Sequence, residues 1–129
     1  MKAIRLIALA ACMAATLDAS AQEQEIRLFS HRGGRMEHDE NTLSAFQASY
    51  DAGYRGFETD IRMTRDGALV ITHDSSLERT TDGTGTVEEK TEAEIRRLRT
   101  KQGNKVLFLD ELLEFLKGKE GLYVEFEMK

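Results

Sequence analysis

Glu58 and Asp60 are separated by one residue, and on a β-strand the side chains at i and i+2 leave the same face. Two carboxylates held side by side repel, and a hard divalent cation with oxygen ligands is the simplest group to hold them. An open strand face carrying two solvated acids has the same spacing. Glu125-x-Glu127-x-Lys129 repeats the pattern, with Tyr123 on the charged side and Leu122, Val124, Phe126 and Met128 on the other. If the charged side faces a site, Glu127 adds a third carboxylate and Lys129 a phosphate-binding cation; an antiparallel sheet with one wet face reads the same. His31 and His73 each stand where a strand is expected to stop, beside a charged residue, and imidazole is the side chain whose ordinary pKa suits proton transfer near neutrality. His38 matches neither position and reads as an ordinary loop histidine. Together these residues suit metal-assisted phosphoryl transfer or hydrolysis. A cation would neutralise phosphate charge, Arg32 and Lys129 would donate to it, and the two histidines would move protons.

Such a site needs strands that end close together. Ile26–Ser30 is short and β-prone and breaks at Gly33-Gly34. Asn41 is a candidate cap for a helix whose inner side holds Leu43, Ala45, Phe46, Ser49, Tyr50 and Ala52, closed by Gly53. Gly56 to Thr64 reads as a second strand, and Asp66-Gly67 predicts a hairpin into Leu69-Val70-Ile71-Thr72, which ends at His73-Asp74. Thr91-Glu92-Ala93-Glu94 is a capping box for a short helix with Ile95 and Leu98 inward. Asp110 is a candidate cap for another, carrying Leu112, Leu113, Phe115 and Leu116, before a last strand from Leu122 to Lys129.

Strands alternating with helices, with polar groups at strand ends, predict an α/β barrel or an open doubly wound sheet. No G-x-G-x-x-G follows the first strand, and Gly83-Thr84-Gly85 lacks both the third glycine and the strand-to-helix setting, so dinucleotide binding is not expected.

Composition narrows the class. The chain has 129 residues, 40% apolar and 32% charged, with one Cys and no Pro or Trp, which excludes disordered, collagenous and disulfide-stapled chains. Residues 1–21 read as a secretory signal peptide: Lys2 and Arg5, an apolar run from Leu6 to Leu17, and Ala19-Ser20-Ala21 as the cleavage site. The run is too short to span a membrane, and Leu9-Ala10-Ala11-Cys12 offers a second reading as a lipoprotein box with an anchor at Cys12. Periplasmic or secreted localisation follows from either processing. The formal net charge of −5 argues against nucleic acid, since the densest basic cluster is only Arg96-Arg97-x-Arg99. The absence of proline and a last strand still alternating at Lys129 predict that residues 22–129 are the front of a longer domain, since a full barrel needs about 250 residues.

An ordered set of motifs resembles the glycerophosphodiester phosphodiesterases. They are His31-Arg32-Gly33-Gly34, Glu40-Asn41-Thr42 with Ala45-Phe46, Phe57-Glu58-Thr59-Asp60, Thr64-x-Asp66-Gly67, Val70-Ile71-Thr72-His73-Asp74, Leu77-Glu78-Arg79-Thr80-Thr81, Leu109-Asp110-Glu111-Leu112-Leu113 and Glu127-Met128-Lys129. The resemblance implies an α/β fold, a TIM-type (β/α) barrel of the phospholipase-C-like phosphodiesterase kind, of which this is about the first half. It implies hydrolysis of a small glycerophosphodiester to sn-glycerol 3-phosphate and an alcohol with Ca²⁺ or Mg²⁺, in phospholipid and glycerol metabolism. Carried across, Glu58, Asp60 and Glu127 are the metal ligands, His31 and His73 the acid/base pair, and Arg32 and Lys129 the phosphate contacts. The hairpin closing on His73 resembles the start of the family's small insertion beside the barrel mouth. Two departures stand out: Asp39 and Leu107 occupy positions where the family usually has proline, removing rigid φ constraints at two helix entrances. The competing expectations are a barrel phosphodiesterase acting on lysophospholipids or another phosphodiester, and a truncated, catalytically inert fragment.

Overall fold

A computed structural model describes residues 26–129, so the expected leader 1–21, with Cys12, lies outside the described residues. The elements run β1 (Phe29–His31), α1 (Leu43–Asp51), β2 (Gly56–Met63), β3 (Leu69–Ile71), a 3-10 turn (Val87–Glu89), α2 (Glu92–Ile95), α3 (Leu109–Leu116) and β4 (Tyr123–Met128). β2 is central. β1 pairs with it in parallel from Phe29↔Gly56 to His31↔Glu58, and β4 pairs in parallel from Gly56↔Tyr123 to Ile61↔Met128. β3 pairs antiparallel with the far end of β2, from Ile61↔Ile71 to Met63↔Leu69. Because Glu58 has partners in both β1 and β4, and Ile61 in both β3 and β4, β1 and β3 share one edge of β2 and β4 takes the other. Three parallel strands joined through helices are the repeating unit of the expected α/β barrel.

Alternation along β2 sends Phe57, Thr59 and Ile61 to one face and Glu58, Asp60 and Arg62 to the other. The first face meets the helices in a core of Phe46, Phe57, Ile61, Ile71, Leu107 and Leu112. The Phe46 and Phe57 rings lie 5.5 Å apart and are fully buried, each burial worth about 2–3 kcal/mol. A second core forms beneath the segment from β3 to α3, from Val70, Leu77, Val87, Ile95, Val106 and Phe108. The two cores touch through neighbouring residues of opposite facing, Val70 beside Ile71 and Leu107 beside Phe108.

The expected hairpin forms: the Gly67 N–H donates to the Thr64 carbonyl at 3.0 Å, with Gly67 at φ 90°, where a side chain would be strained. Thr91 and Glu94 close the expected capping box, with Ile95 buried and Leu98 packed on the second core.

Several local expectations are corrected. β1 begins at Phe29 rather than Ile26, because pairing starts only where β2 begins; Ile26 and Leu28 stay exposed. Thr42, not Asn41, caps α1, its Oγ1 accepting the Ala45 N–H at 3.2 Å. The inner side of α1 is Ala45, Phe46 and Ser49, with Tyr50 packed on the edge of the main core, while Leu43 and Ala52 turn to solvent at its ends. Asp110 does not cap α3 but lies in its first turn, where it favours the helix dipole; Phe108 stands at the cap and donates its N–H to Glu111 Oε2. Leu113 is exposed although Leu112 beside it is buried. Leu122, just before β4, and Val124 on it pack on the main core, but Phe126 and Met128 remain exposed on a strand paired, among the described residues, only to β2.

Candidate metal and phosphate site

The register of β2 with β4 puts Glu58 beside Glu125 and Asp60 beside Glu127, so the two acidic strand patterns face one way. One ligand oxygen from each of Glu58, Asp60 and Glu127 lies within 4.8 Å of the others. Asp60 is fully buried, Glu58 half-buried and Glu127 exposed, so the cluster opens toward solvent on the β4 side. Lys129, whose N–H continues the ladder to the Ile61 carbonyl at 3.0 Å, reaches back with its ammonium to Glu127 at 2.7 Å and Asp60 Oδ1 at 3.4 Å. That contact raises the Lys129 pKa and holds Glu127 below the usual carboxylate range, an effect to which His73 also contributes. Burial, and then repulsion from Asp60, push the Glu58 carboxyl up.

β1 delivers the other side of the site. His31 is its last residue, and His31 Nε2 lies 3.6 Å from Glu58 Oε2. The chain then turns sharply: Arg32 takes φ 54°, unusual for a residue with a side chain, and its N–H donates to the Glu58 carbonyl at 3.0 Å. Gly33 follows at φ 76°, where a Cβ would come within 2.8 Å of Ala45 Cβ, so only glycine lets this loop rest on α1. The buried Arg32 guanidinium lies 3.2 Å from Asp60 Oδ2 through Nε, an ion pair without hydrogen-bond alignment, and 3.3 Å from Glu40 through an Nη.

Asn41 is the second left-handed residue, at φ 56°, and this turn aims its amide into the sheet. Its Nδ2 donates to Asp60 Oδ2 at 3.2 Å, and its Oδ1 accepts from Thr59 Oγ1 at 2.9 Å. Further along the same edge of β2, His73 follows β3. The Thr72 N–H donates to the Asp60 carbonyl at 3.0 Å, and Arg62 Nε donates to the His73 carbonyl at 2.9 Å. His73 Nδ1 is 2.7 Å from Asp74 Oδ1.

The structure thus gathers Glu58, Asp60 and Glu127 with Arg32 and Lys129 among them, and sets His31 at the end of β1 and His73 just after β3, along one edge of β2; His38 is exposed in the loop. Sequence reasoning missed Glu40, Asn41, Asp74 and Arg79 as parts of this arrangement. Their signal was present in the Glu40-Asn41-Thr42, Val70-Ile71-Thr72-His73-Asp74 and Leu77-Glu78-Arg79-Thr80-Thr81 motifs, in which spacing alone left these four without a role in the site.

The profile of the glycerophosphoryl diester phosphodiesterase family matches residues 31–129. The chain belongs to this family. A glycerophosphodiester phosphodiesterase of Bacillus altitudinis is 31% identical over 110 residues, covering 80% of this chain and 45% of that protein. A solved glycerophosphodiester phosphodiesterase of Agrobacterium tumefaciens superposes with a TM-score of 0.74 at 34% identity, over 81% of this chain and 47% of that one. A phosphodiesterase of Oleispira antarctica, solved in complex with the product sn-glycerol 3-phosphate, gives 0.74 at 30% identity, over 81% and 44%. The solved relatives are TIM-barrel glycerophosphodiester phosphodiesterases, and the chain spans less than half the length of these relatives.

Proposed function

We propose that the protein containing this chain hydrolyses small glycerophosphodiesters to sn-glycerol 3-phosphate and an alcohol, as part of phospholipid and glycerol metabolism, and that it works in the periplasm or outside the cell. The observation that carries this reading is the three-carboxylate cluster at the strand ends, with the Arg32 and Lys129 side chains against it, a histidine at the end of β1 and another just after β3. The site fits a hard divalent cation such as Ca²⁺ or Mg²⁺. Asp60 Oδ1 is buried without a hydrogen-bond partner, and the donor set is all carboxylate oxygen. Glu58, Asp60 and Glu127 would hold the cation, which would supply charge neutralisation at the phosphate.

The chain's own residues do the rest. Arg32 and Lys129 are placed to donate to phosphate oxygens. Buried under the loop, Arg32 is preorganised, so little is lost in orienting it when substrate binds. One of His31 and His73 takes the proton from the attacking oxygen as its bond to phosphorus forms. The other gives a proton to the alcohol oxygen as its bond to phosphorus breaks. They stand at the ends of different strands, His31 beside Glu58 and His73 beyond the residue whose N–H meets the Asp60 carbonyl.

The test uses the full-length protein with a panel of glycerophosphodiesters and lysophospholipids, at graded Ca²⁺ and Mg²⁺. His31→Ala and His73→Ala should each lower kcat by about 10²–10⁴-fold while cation-dependent stabilisation against denaturant persists. Glu58→Gln should raise the cation concentration needed for that stabilisation. Near-native turnover in either histidine variant, or stability indifferent to both cations, would overturn the assignment. Turnover of lysophospholipids alone would move the substrate class.

A further inference from the structure

His73 and the acid cluster belong to one line of alternating charge. His73 Nδ1 meets Asp74 Oδ1 at 2.7 Å, and Arg79 Nε donates to Asp74 Oδ2. The same guanidinium turns its two Nη groups onto Glu40, at 3.0 and 2.7 Å. Glu40 in turn meets Arg32, and Arg32 meets Asp60. Arg79 therefore clamps the loop after β3 to the loop after β1, 39 residues apart in sequence, and grips the carboxylate within hydrogen-bond distance of His73 Nδ1.

A ring nitrogen facing a carboxylate carries the proton in the neutral imidazole, which leaves the other nitrogen to exchange protons with a reactant. A carboxylate can do this only if it is held still. Asp74 follows β3 on an irregular segment and is about a quarter exposed, so its own backbone does not fix it. Arg79 does, because a planar guanidinium has donors on adjacent edges and fixes two carboxylates at a set angle.

We propose that Asp74 and Arg79 are positioning residues for His73: Asp74 selects the Nδ1–H tautomer and points Nε2 at the phosphate, and Arg79, anchored on Glu40, holds Asp74 there. This rests on the proposed role of His73 as one of the proton-transfer pair.

The experiment uses the full-length protein and has two readouts. In ¹⁵N-resolved spectra of the histidine side chains, neutral His73 should carry its proton on Nδ1. In Asp74→Asn, whose amide can equally donate to the ring, that preference should be lost. With a glycerophosphodiester substrate, Asp74→Asn should lower kcat about a hundredfold or more with KM within about twofold. Arg79→Met should lower kcat about tenfold, and Arg79→Lys should not rescue it, since an ammonium cannot span both carboxylates. Arg79 is half-exposed, so Arg79→Met keeps the test readable if Asp74→Asn fails to fold. Nε2–H as the native tautomer, an unchanged tautomer in a correctly folded Asp74→Asn, or kcat within about twofold of wild type in Arg79→Met would overturn the proposal. If the wild-type protein cleaves no glycerophosphodiester, the functional reading fails, and the spectroscopic arm still decides the tautomer.

Discussion

Asn41 offers the sharpest test of how the buried carboxylate is held. Its amide sits between Asp60 and Thr59, inaccessible to solvent, so no water takes its place when it is removed. Asn41→Ala deletes a donor to a charged acceptor, about 1.5–3 kcal/mol, and an acceptor for a buried hydroxyl, about 1 kcal/mol. It also places alanine at φ 56°, adding about 1 kcal/mol. A loss of about 4 kcal/mol is expected, nearly a thousandfold in the folding equilibrium. Urea denaturation of the full-length protein should show this as a lower midpoint at unchanged slope. Asn41→Asp separates charge from shape, because aspartate tolerates the left-handed turn but sets a carboxylate against Asp60. Its folded-state pKa would be raised, so the variant should be destabilised at neutral pH and regain stability as pH falls and the pair takes up a proton. A loss below about 0.5 kcal/mol in Asn41→Ala, or an Asn41→Asp profile parallel to wild type, would refute the account.

Asp39→Ala should cost about 1–3 kcal/mol by urea denaturation, since Asp39 accepts from both Thr100 Oγ1 and Asn104 Nδ2 and so ties the loop before α1 to the segment before α3; amide exchange at 100–104 should quicken. Gly33→Ala should destabilise by about 2 kcal/mol or more, because it meets both a positive φ and the Ala45 methyl. In cation-free buffer, acid should weaken the fold. Arg79 holds Glu40 and Asp74 below the usual carboxylate range, so their stabilisation is present above the unfolded pKa of about 4 and is lost as pH falls through the lower folded values. Glu58 opposes this, its raised pKa returning stability as pH falls, so Glu58→Gln should steepen the acid-side loss; an unchanged slope would contradict the burial effect.

The carboxylates were legible in the sequence because a strand repeats every two residues, and pairing β2 with β4 in parallel register only had to align two such patterns. His31 and His73 were legible because each follows a β-prone run. The line through Glu40, Arg79 and Asp74 was not, since no spacing rule relates residues 39 apart that meet across two loops. Asn41 misled for a physical reason. Asn and Thr are both good caps, and only the left-handed turn that sends the Asn41 amide to Asp60 assigns the capping to Thr42. Asp39 shows a substitution of means. Where the family's proline would stiffen this helix entrance through φ, here side-chain hydrogen bonds tie it across to residues 100 and 104.

The seam between the two cores is only two residues wide on each side, Val70 with Ile71 and Leu107 with Phe108. The segment from residue 72 to 106 has its own apolar centre, and polar contacts tie it down beyond that seam, from Arg79 to Glu40 and from Asp39 to Thr100 and Asn104. Such an arrangement is modular between those ties: residues other than His73, Asp74, Arg79, Thr100 and Asn104 can vary while the parallel strands keep their register, provided the seam alternates inward and outward as it does here. Selection, or a designer, can therefore rework that part of the wall beside the acid cluster without touching Glu58, Asp60 or Glu127.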